Sequence, residues 1–511
     1  MSFQEKVDIK RFFNNTISLL ILAIILFVSI NIRIKYISND RMWPDEALYA
    51  WNAQRISQNP SLILSKELNE FHPPLFPLFL AITRHLISPD IPDYIAYQII
   101  NLWIAILGVI AIYLAGRLID SNFTGLLSAL VLSFNPIYLR YSCKLLMEGT
   151  EVLSMLFLTI VLLKVDPKKR FYDISIAAII VFLICLKLAN IMVLFFIVSY
   201  YFFALDDIAL DVRLKKIKRV IGLVLFPLFL LLLHNVLIFG KIFPDLSVFN
   251  KSSAAFPYFF YLVSLKDLLY FPFLWIFGLL YLFFGFKHNK KAWIWLTSWL
   301  FISIIFLSFA KERLPRYALM FLPSFIIISV MEIKTVLDFI FCDEIRKYIA
   351  KIVCLCLFLG YTFNLYPTIL YILQEDNKFS NGFIEAGEWI KRNSTKHTLI
   401  ICSSPRQIRF YSGINFKRFG GQIIDYFKIK DSFREALLDN FKGHIILELD
   451  NWNTRDKLII NPTTQKEEIF LQKKGFRVAK EIKKMRYKKS DNEKIIAPAM
   501  WIFERSALNK E

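Results

Sequence analysis

The chain has 511 residues, 56% of them hydrophobic and 50 of them phenylalanine, with a mean hydropathy of +0.47. That composition excludes an ordinary soluble protein and predicts a polytopic membrane protein. The net charge of +20 raises the question of nucleic acid. Lys and Arg lie largely in short loops and in the tail, however, where topology and attraction to the bilayer surface account for them. No basic motif with interleaved aromatics marks a nucleic-acid reader, so that partner is excluded.

Apolar runs long enough to cross a bilayer fall at 14–34, 95–115, 122–139, 149–164, 172–187, 189–205, 218–239, 270–286, 292–310, 316–332 and 349–370, about eleven spans. The first has no cleavage-site pattern and reads as a retained anchor. Basic residues cluster at Lys6, Lys10 and Arg11, at Lys168 to Arg170, from Arg213 to Arg219, and at Lys287, Lys290 and Lys291. These fall on one side, which the positive-inside rule makes cytoplasmic together with the N-terminus. By parity, the segments around Asp45 and Lys144, the 240–271 connection, the 311–316 turn and the C-terminus face outward.

After Tyr371 the composition turns polar. A helix at Phe383 to Lys391 and apolar β-like runs at Thr398 to Cys402, His444 to Leu449 and Met500 to Phe503 predict a small soluble α/β domain over 372–511. Gly420-Gly421 reads as a turn, and the Lys-rich tract from Lys483 to Lys489 as a solvated or membrane-facing surface. The six cysteines form no evident disulfide framework. Cys354 and Cys356, two positions apart on a predicted helix, point about 200° apart, which favours packing over a shared metal.

Four outward-facing places combine polar residues with the ends of apolar runs. In Arg41-Met42-Trp43-Pro44-Asp45-Glu46, Pro44 opens a helix and puts both carboxylates in its first turn. There they either cap the helix or do chemistry. Beyond them, Tyr49, Ala53 and Ile56 form an apolar stripe beside Asn52 and Arg55, the pattern of a helix lying on the interface. Glu70-Phe71-His72-Pro73-Pro74 adds an acid, an imidazole and a rigid bend. Arg140, Lys144 and Glu148 recur at i, i+4 and i+8, which predicts one helical face and is also what an ordinary ion-pair ladder looks like. Lys311, Arg313, Arg316 and Tyr317 stand at the mouth of the 316–332 run, where snorkelling is the plain alternative.

Carboxylates that take a proton, cations that hold an anionic leaving group and a lipid-filled space between spans suit glycosyl transfer from a lipid-linked sugar. A hydroxyl needs a positioned base, and a departing lipid phosphate needs Arg or Lys. A nucleotide-sugar enzyme would need a cytosolic α/β domain, and this chain shows none on that side.

The order Trp43-Pro44-Asp45-Glu46, Glu70-Phe71-His72-Pro73-Pro74-Leu75, Ser142 to Glu148, and Arg316-Tyr317 with Pro323 resembles the dolichyl-phosphate-mannose protein mannosyltransferases. Their prokaryotic relatives include the lipid A aminoarabinose transferases, and all share the multispan GT-C fold. The resemblance covers roughly the first 330 residues and is densest in the first 150. It implies a GT-C-like helical bundle over 1–371 with its catalytic outer loop at 35–94, and an extracytoplasmic α/β domain over 372–511.

The resemblance also implies that Asp45 is the catalytic base, with Glu46 supporting it, and that Glu70 and His72 occupy the acidic and His positions of the mannosyltransferases' Asp-x-His-Pro-Pro motif. Phe71 removes the acidic metal ligand of the Glu-Lys-Pro-Pro version. Cys143 stands where the mannosyltransferases carry Arg, Lys144 follows one later, and Glu148 replaces an Asp. No cofactor is assigned, and a divalent metal stays open, since Asp45, Glu46, Glu70 and His72 are ligands of the right type.

The expected protein is therefore a cell-membrane, multi-pass glycosyltransferase, hexosyl or pentosyl. It would use a polyprenyl-phosphate sugar and transfer it with inversion to a hydroxyl of protein Ser/Thr, lipid or glycan outside the cytoplasm. The rival reading is a flippase for the lipid-linked sugar or another lipid-carrier transporter, with Lys187 and His234 as its mid-span charges. Such a carrier would leave the glycosyl-phosphate bond intact. A third is a non-catalytic assembly subunit whose tail binds a partner.

Overall fold

The computed structural model describes residues 3–35, 37, 42–65, 68, 73–239, 261, 271–287, 289–309, 314–377, 382–395, 398–402, 404–414, 423–425, 444–448, 469–487 and 494–505. The chain is mostly helical, and contacts divide it into two compact units.

The first unit comprises 1–37, 59–88 and 96–370. Its helices are α1 (Phe3–Ile34), α3 (Leu75–Thr83), most of α4 (Asp93–Ile119), α5 (Asn122–Phe134), α6 (Pro136–Ser142), α7 (Glu148–Lys164) and α8 (Arg170–Leu186). They continue with α9 (Val193–Phe203), α10 (Leu210–Phe239), α11 (Pro272–Phe284), α12 (Lys290–Ser308), α13 (Leu322–Ile340) and α14 (Glu344–Asn377). Helix α2 (Pro44–Gln58) belongs to the second unit.

Every apolar run read from the sequence is helical over most of its length. Among the described residues five helices are long and apolar enough to cross a bilayer alone: within α1, α4, α10, α12 and α14. The bent pair α5 and α6 makes a sixth candidate. The runs at 149–164, 172–187, 189–205 and 270–286 form shorter helices, α13 carries Glu332, Lys334 and Asp338 along its 19 residues, and Leu75–Leu86 adds an apolar segment that the sequence count omits.

Packing separates these helices. In α4, 72% of the most apolar window is buried, against 22% in α10 and 11% in α14, so α4 runs through the core while α10 and α14 present side chains outward. Gly116 and Gly125 let α4 and α5 approach until a Cβ at Gly125 would lie 2.5 Å from the Tyr113 carbonyl oxygen.

The run at 122–139 bends by 63° between α5 and α6. Pro136 cannot continue the ladder of α5. Asn135 caps the new helix instead, its Oδ1 accepting from the backbone of Ile137 and Tyr138 at 3.0 and 3.1 Å. Arg33, fully buried, fastens the corner: its Nε donates to Ser142 Oγ at 3.0 Å and its Nη2 to the Ser133 carbonyl at 3.3 Å. Lys291 pairs with Asp207 at 3.1 Å, and a hydrogen bond from Lys290 holds the exposed Asp206 carboxyl below its usual range.

The second unit comprises 38–58, 89–95 and 371–511. The sequence reading instead places 38–58 and 89–94 within the 35–94 outer loop of the membrane domain. Its sheet has the order β2-β1-β3-β5-β4, from β1 (Ile400–Cys402), β2 (Ile423–Asp425), β3 (His444–Glu448), β4 (Phe476–Tyr487) and β5 (Lys494–Arg505). Strand β1 runs parallel to β2 and β3, and β5 antiparallel to β3 and β4. Ile400, Cys402, Ile446 and Ile502 join Phe383 and Ile390 of α15 (Phe383–Asn393) and Ile408 of α16 (Pro405–Ser412) in the core. Gly413 closes α16 at φ 72°, a left-handed cap that glycine adopts without strain. No disulfide joins any two of the six cysteines.

Candidate active site

Pro44 starts α2 as expected, and the two carboxylates of its first turn take different roles. Glu46 is fully buried, and its Oε2 accepts from the Trp43 backbone N–H at 2.8 Å, so it serves the helix end. Asp45 stays about one-quarter exposed and pairs through Oδ1 with Arg406 Nη1 of α16 at 3.0 Å.

The neighbouring residues hold α16 to α2. Gln407 donates to the Met42 carbonyl at 3.4 Å, and buried Arg409 lies 5.3 Å from the Trp51 ring centroid. Gln54 donates to Asp93 Oδ2 at 2.7 Å. The expectation of a half-exposed interfacial α2 is therefore corrected: Leu48, Tyr49, Trp51, Asn52, Ala53 and Ile56 are all buried, its polar face meeting α16.

A second constellation lies within the first unit. Glu148 and Glu151 open α7 and are almost fully buried. Arg316 Nε approaches Glu148 Oε1 at 3.4 Å. Lys187 Nζ lies 3.9 Å from Glu151 Oε1, and Asn190 Nδ2 donates to the same oxygen at 2.9 Å. Tyr317 adds a ring face 4.3 Å from Lys187 Nζ and 5.4 Å from Arg316 Cζ.

Local sequence explains why these groups meet. Helix α8 ends at Leu186, and the 3-10 turn Leu188–Met192 breaks the apolar run there, so Lys187 and Asn190 face α7. Arg316 and Tyr317 ride on the 3-10 turn Pro315–Met320, whose last carbonyl accepts from Trp299 Nε1 at 2.7 Å. Two carboxylates and two cations balance their charge at the ends of apolar helices, where an unpaired one would be costly.

Glu148, from the third of the four polar places, thus meets Arg316 and Tyr317 from the fourth. The expected ladder of Arg140, Lys144 and Glu148 does not form: α6 stops at Ser142, a turn intervenes, and α7 restarts at Glu148. Arg140 lies 5.7 Å from the Tyr141 ring centroid. Lys144 is buried, and its carbonyl accepts from Asn101. Glu70, His72, Lys311 and Arg313 lie outside the described residues.

Among the described residues no three His, Cys, Asp or Glu side chains gather as metal ligands. Sequence reasoning missed Arg406, Arg33, Glu151 and Asn190. Glu151 carries a signal, an acid inside an apolar run, while the sequence reading gives Lys187 only the part of a carrier charge.

No protein-family model and no curated protein matches the sequence. Among solved structures, ArnT from Cupriavidus metallidurans bound to undecaprenyl phosphate superposes with a TM-score of 0.63 at 12% identity, over 96% of this chain and 98% of that one. The archaeal oligosaccharyltransferase AglB from Archaeoglobus fulgidus, in complex with an inhibitory peptide and a dolichol-phosphate, gives 0.58 at 12% identity, covering 95% of this chain and 75% of that one. The arabinofuranosyltransferase AftD from Mycobacteria gives 0.58 at 12% identity over 94% of this chain and 39% of its own. The GT-C fold that the sequence motifs implied is the fold of this membrane protein.

Proposed function

We propose that the protein is an integral-membrane glycosyltransferase that takes a sugar from a polyprenyl-phosphate donor and passes it, with inversion, to a hydroxyl outside the cytoplasm. The observation that carries this reading is the division of labour at the start of α2. Glu46 caps the helix, and Asp45 keeps a partly exposed carboxylate beside a cation. A carboxylate is the base such a transfer needs.

In the proposed step Asp45 accepts the proton of the acceptor hydroxyl as that oxygen bonds the anomeric carbon. The bond from carbon to phosphate oxygen breaks, and polyprenyl phosphate leaves with the electron pair. Arg316, with Arg313 and Lys144, is assigned to that phosphate, and Glu148 and Tyr317 hold Arg316. Glu70, His72, Lys311 and Arg140 remain assigned to donor or acceptor binding.

The lipid-phosphate complexes of ArnT and AglB support this donor class. The outward placement of the C-terminus and of the 372–511 domain follows from the positive-inside reading. The carrier reading leaned on Lys187, and that side chain is neutralised by Glu151.

The test is transfer from polyprenyl-phosphate sugars by purified Asp45→Asn. Transfer is expected to fall by about 10²-fold or more, with the thermal transition of the protein unchanged. Near-parental transfer would remove Asp45 as base, and movement of lipid with the glycosyl-phosphate bond intact would favour the carrier.

A further inference from the structure

A second feature of the first unit lies among helices other than α7 and α8. Helices α11, α13 and α14 leave between them a cavity of about 710 Å³, of the size that holds a ligand. Arg346, Val353, Leu357 and Tyr361 mark one face of α14 along it, opposite Phe277 and Leu337. Aromatic packing closes one end, with Phe273 and Phe358 centroids 4.9 Å apart and Phe271 and Tyr361 5.2 Å apart. From Arg346 to Tyr361 the helix rises ~22 Å at 1.5 Å per residue, more than one leaflet, which is about half of a ~30 Å hydrocarbon core. A slot of that length and hydrocarbon lining suits a chain.

The charge at its mouth says which chain. Lys334 pairs with Asp120 at 2.7 Å, Lys351 with Asp338 at 2.6 Å and Lys347 with Glu344 at 2.9 Å. Arg346 lines the cavity, and its guanidinium has no carboxylate partner among the described residues. An unpaired Arg at the end of an apolar slot in a bilayer is a phosphate site, since its fork matches phosphate oxygens.

That phosphate is not the one assigned to Arg316. The two arginines lie beyond opposite ends of α13, a helix of 19 residues that spans ~28 Å. We infer that this slot binds an anionic phospholipid of the surrounding leaflet, its headgroup phosphate on Arg346 and one acyl chain along α14.

The experiment is native mass spectrometry of the full-length protein in detergent, titrated with dioleoylphosphatidylglycerol, dioleoylphosphatidylcholine or undecaprenyl phosphate. Phosphatidylglycerol is expected to bind more tightly than phosphatidylcholine. Arg346→Gln should weaken phosphatidylglycerol roughly five-fold, the weight of one basic residue at an anionic surface, with little change for phosphatidylcholine. Val353→Trp, which fills the slot, should displace both. Equal binding of the two phospholipids, or a phosphatidylglycerol preference that survives Arg346→Gln, would reduce the slot to ordinary bilayer contact. Undecaprenyl phosphate outcompeting phosphatidylglycerol in the parent but not in Arg346→Gln would overturn the assignment in favour of the carrier lipid. None of these readings depends on sugar transfer, so a protein without glycosyltransferase activity would leave this inference standing.

Discussion

Asp45 and Glu46 are neighbours with separable consequences. Glu46 is buried and bonded to the backbone, so Glu46→Gln is expected to lower stability by about 1–2 kcal/mol, the range of a lost cap or charge-assisted bond. Asp45→Asn loosens only a partly exposed pair, worth about 0–1 kcal/mol. Thermal unfolding of the two variants in one detergent checks the contrast: equal losses would mean that both acids are structural. In the buried constellation the balance is harsher. Glu151→Ala leaves Lys187 and Asn190 without their shared acceptor, and a broken buried pair costs about 3–5 kcal/mol. A Glu151→Ala protein as stable as the parent would show that water reaches Lys187.

At the scale of the helices, glycine contacts grade the tolerance of the bundle. A Cβ at Gly125 meets the backbone of α4 at 2.5 Å, which cannot move aside without displacing the helix. At Gly108 it meets the Tyr138 hydroxyl, a side-chain tip that already donates to the Ala105 carbonyl at 2.8 Å. Overpacking costs about 1–3 kcal/mol, so Gly125→Ala should lie at or above the upper end and Gly108→Ala at the lower. Adding Tyr138→Phe should recover much of the Gly108→Ala loss and none of the Gly125→Ala loss, as read from thermal transitions.

Much of this level was legible, because apolar runs near span length form helices wherever they pack. The corner at Asn135-Pro136 was also written in the chain, but hydropathy averaged over 122–139 hides it. The burial of α2 was not legible. A face covered by another helix has the same periodicity as one covered by water, and nothing local to Trp51 or Met42 announces Arg409 or Gln407. The Lys-rich tract falls partly in β4, the last strand in the order of the described sheet.

For the molecule as a whole, the second unit is discontinuous in sequence. Residues 38–58 and 89–95 belong with the C-terminal segment, so removal of 372–511 would strip α2 of α16 and Asp45 of Arg406. A protein truncated at Tyr371 is expected to lose amide-exchange protection across 44–58 while α4 and α12 keep theirs. Unchanged protection of α2 would show that it folds without the tail. The candidate residues were unequally legible for the same reason: Asp45, Glu148 and Arg316 stand in recognisable motifs, while Arg406 lies in a segment without one.

The buried quartet of Glu148, Glu151, Lys187 and Arg316 also sets an order of events during synthesis. Arg316 is translated about 170 residues after Glu148, roughly 10–30 s later at ribosomal speed. During that interval α7 carries two acids whose counter-ions are not all made, and its N-terminal turn is a poor candidate to enter lipid alone. The first half of the bundle must wait at the insertion machinery, or with this end in the headgroup layer, until the Pro315–Met320 turn arrives to complete the charge balance.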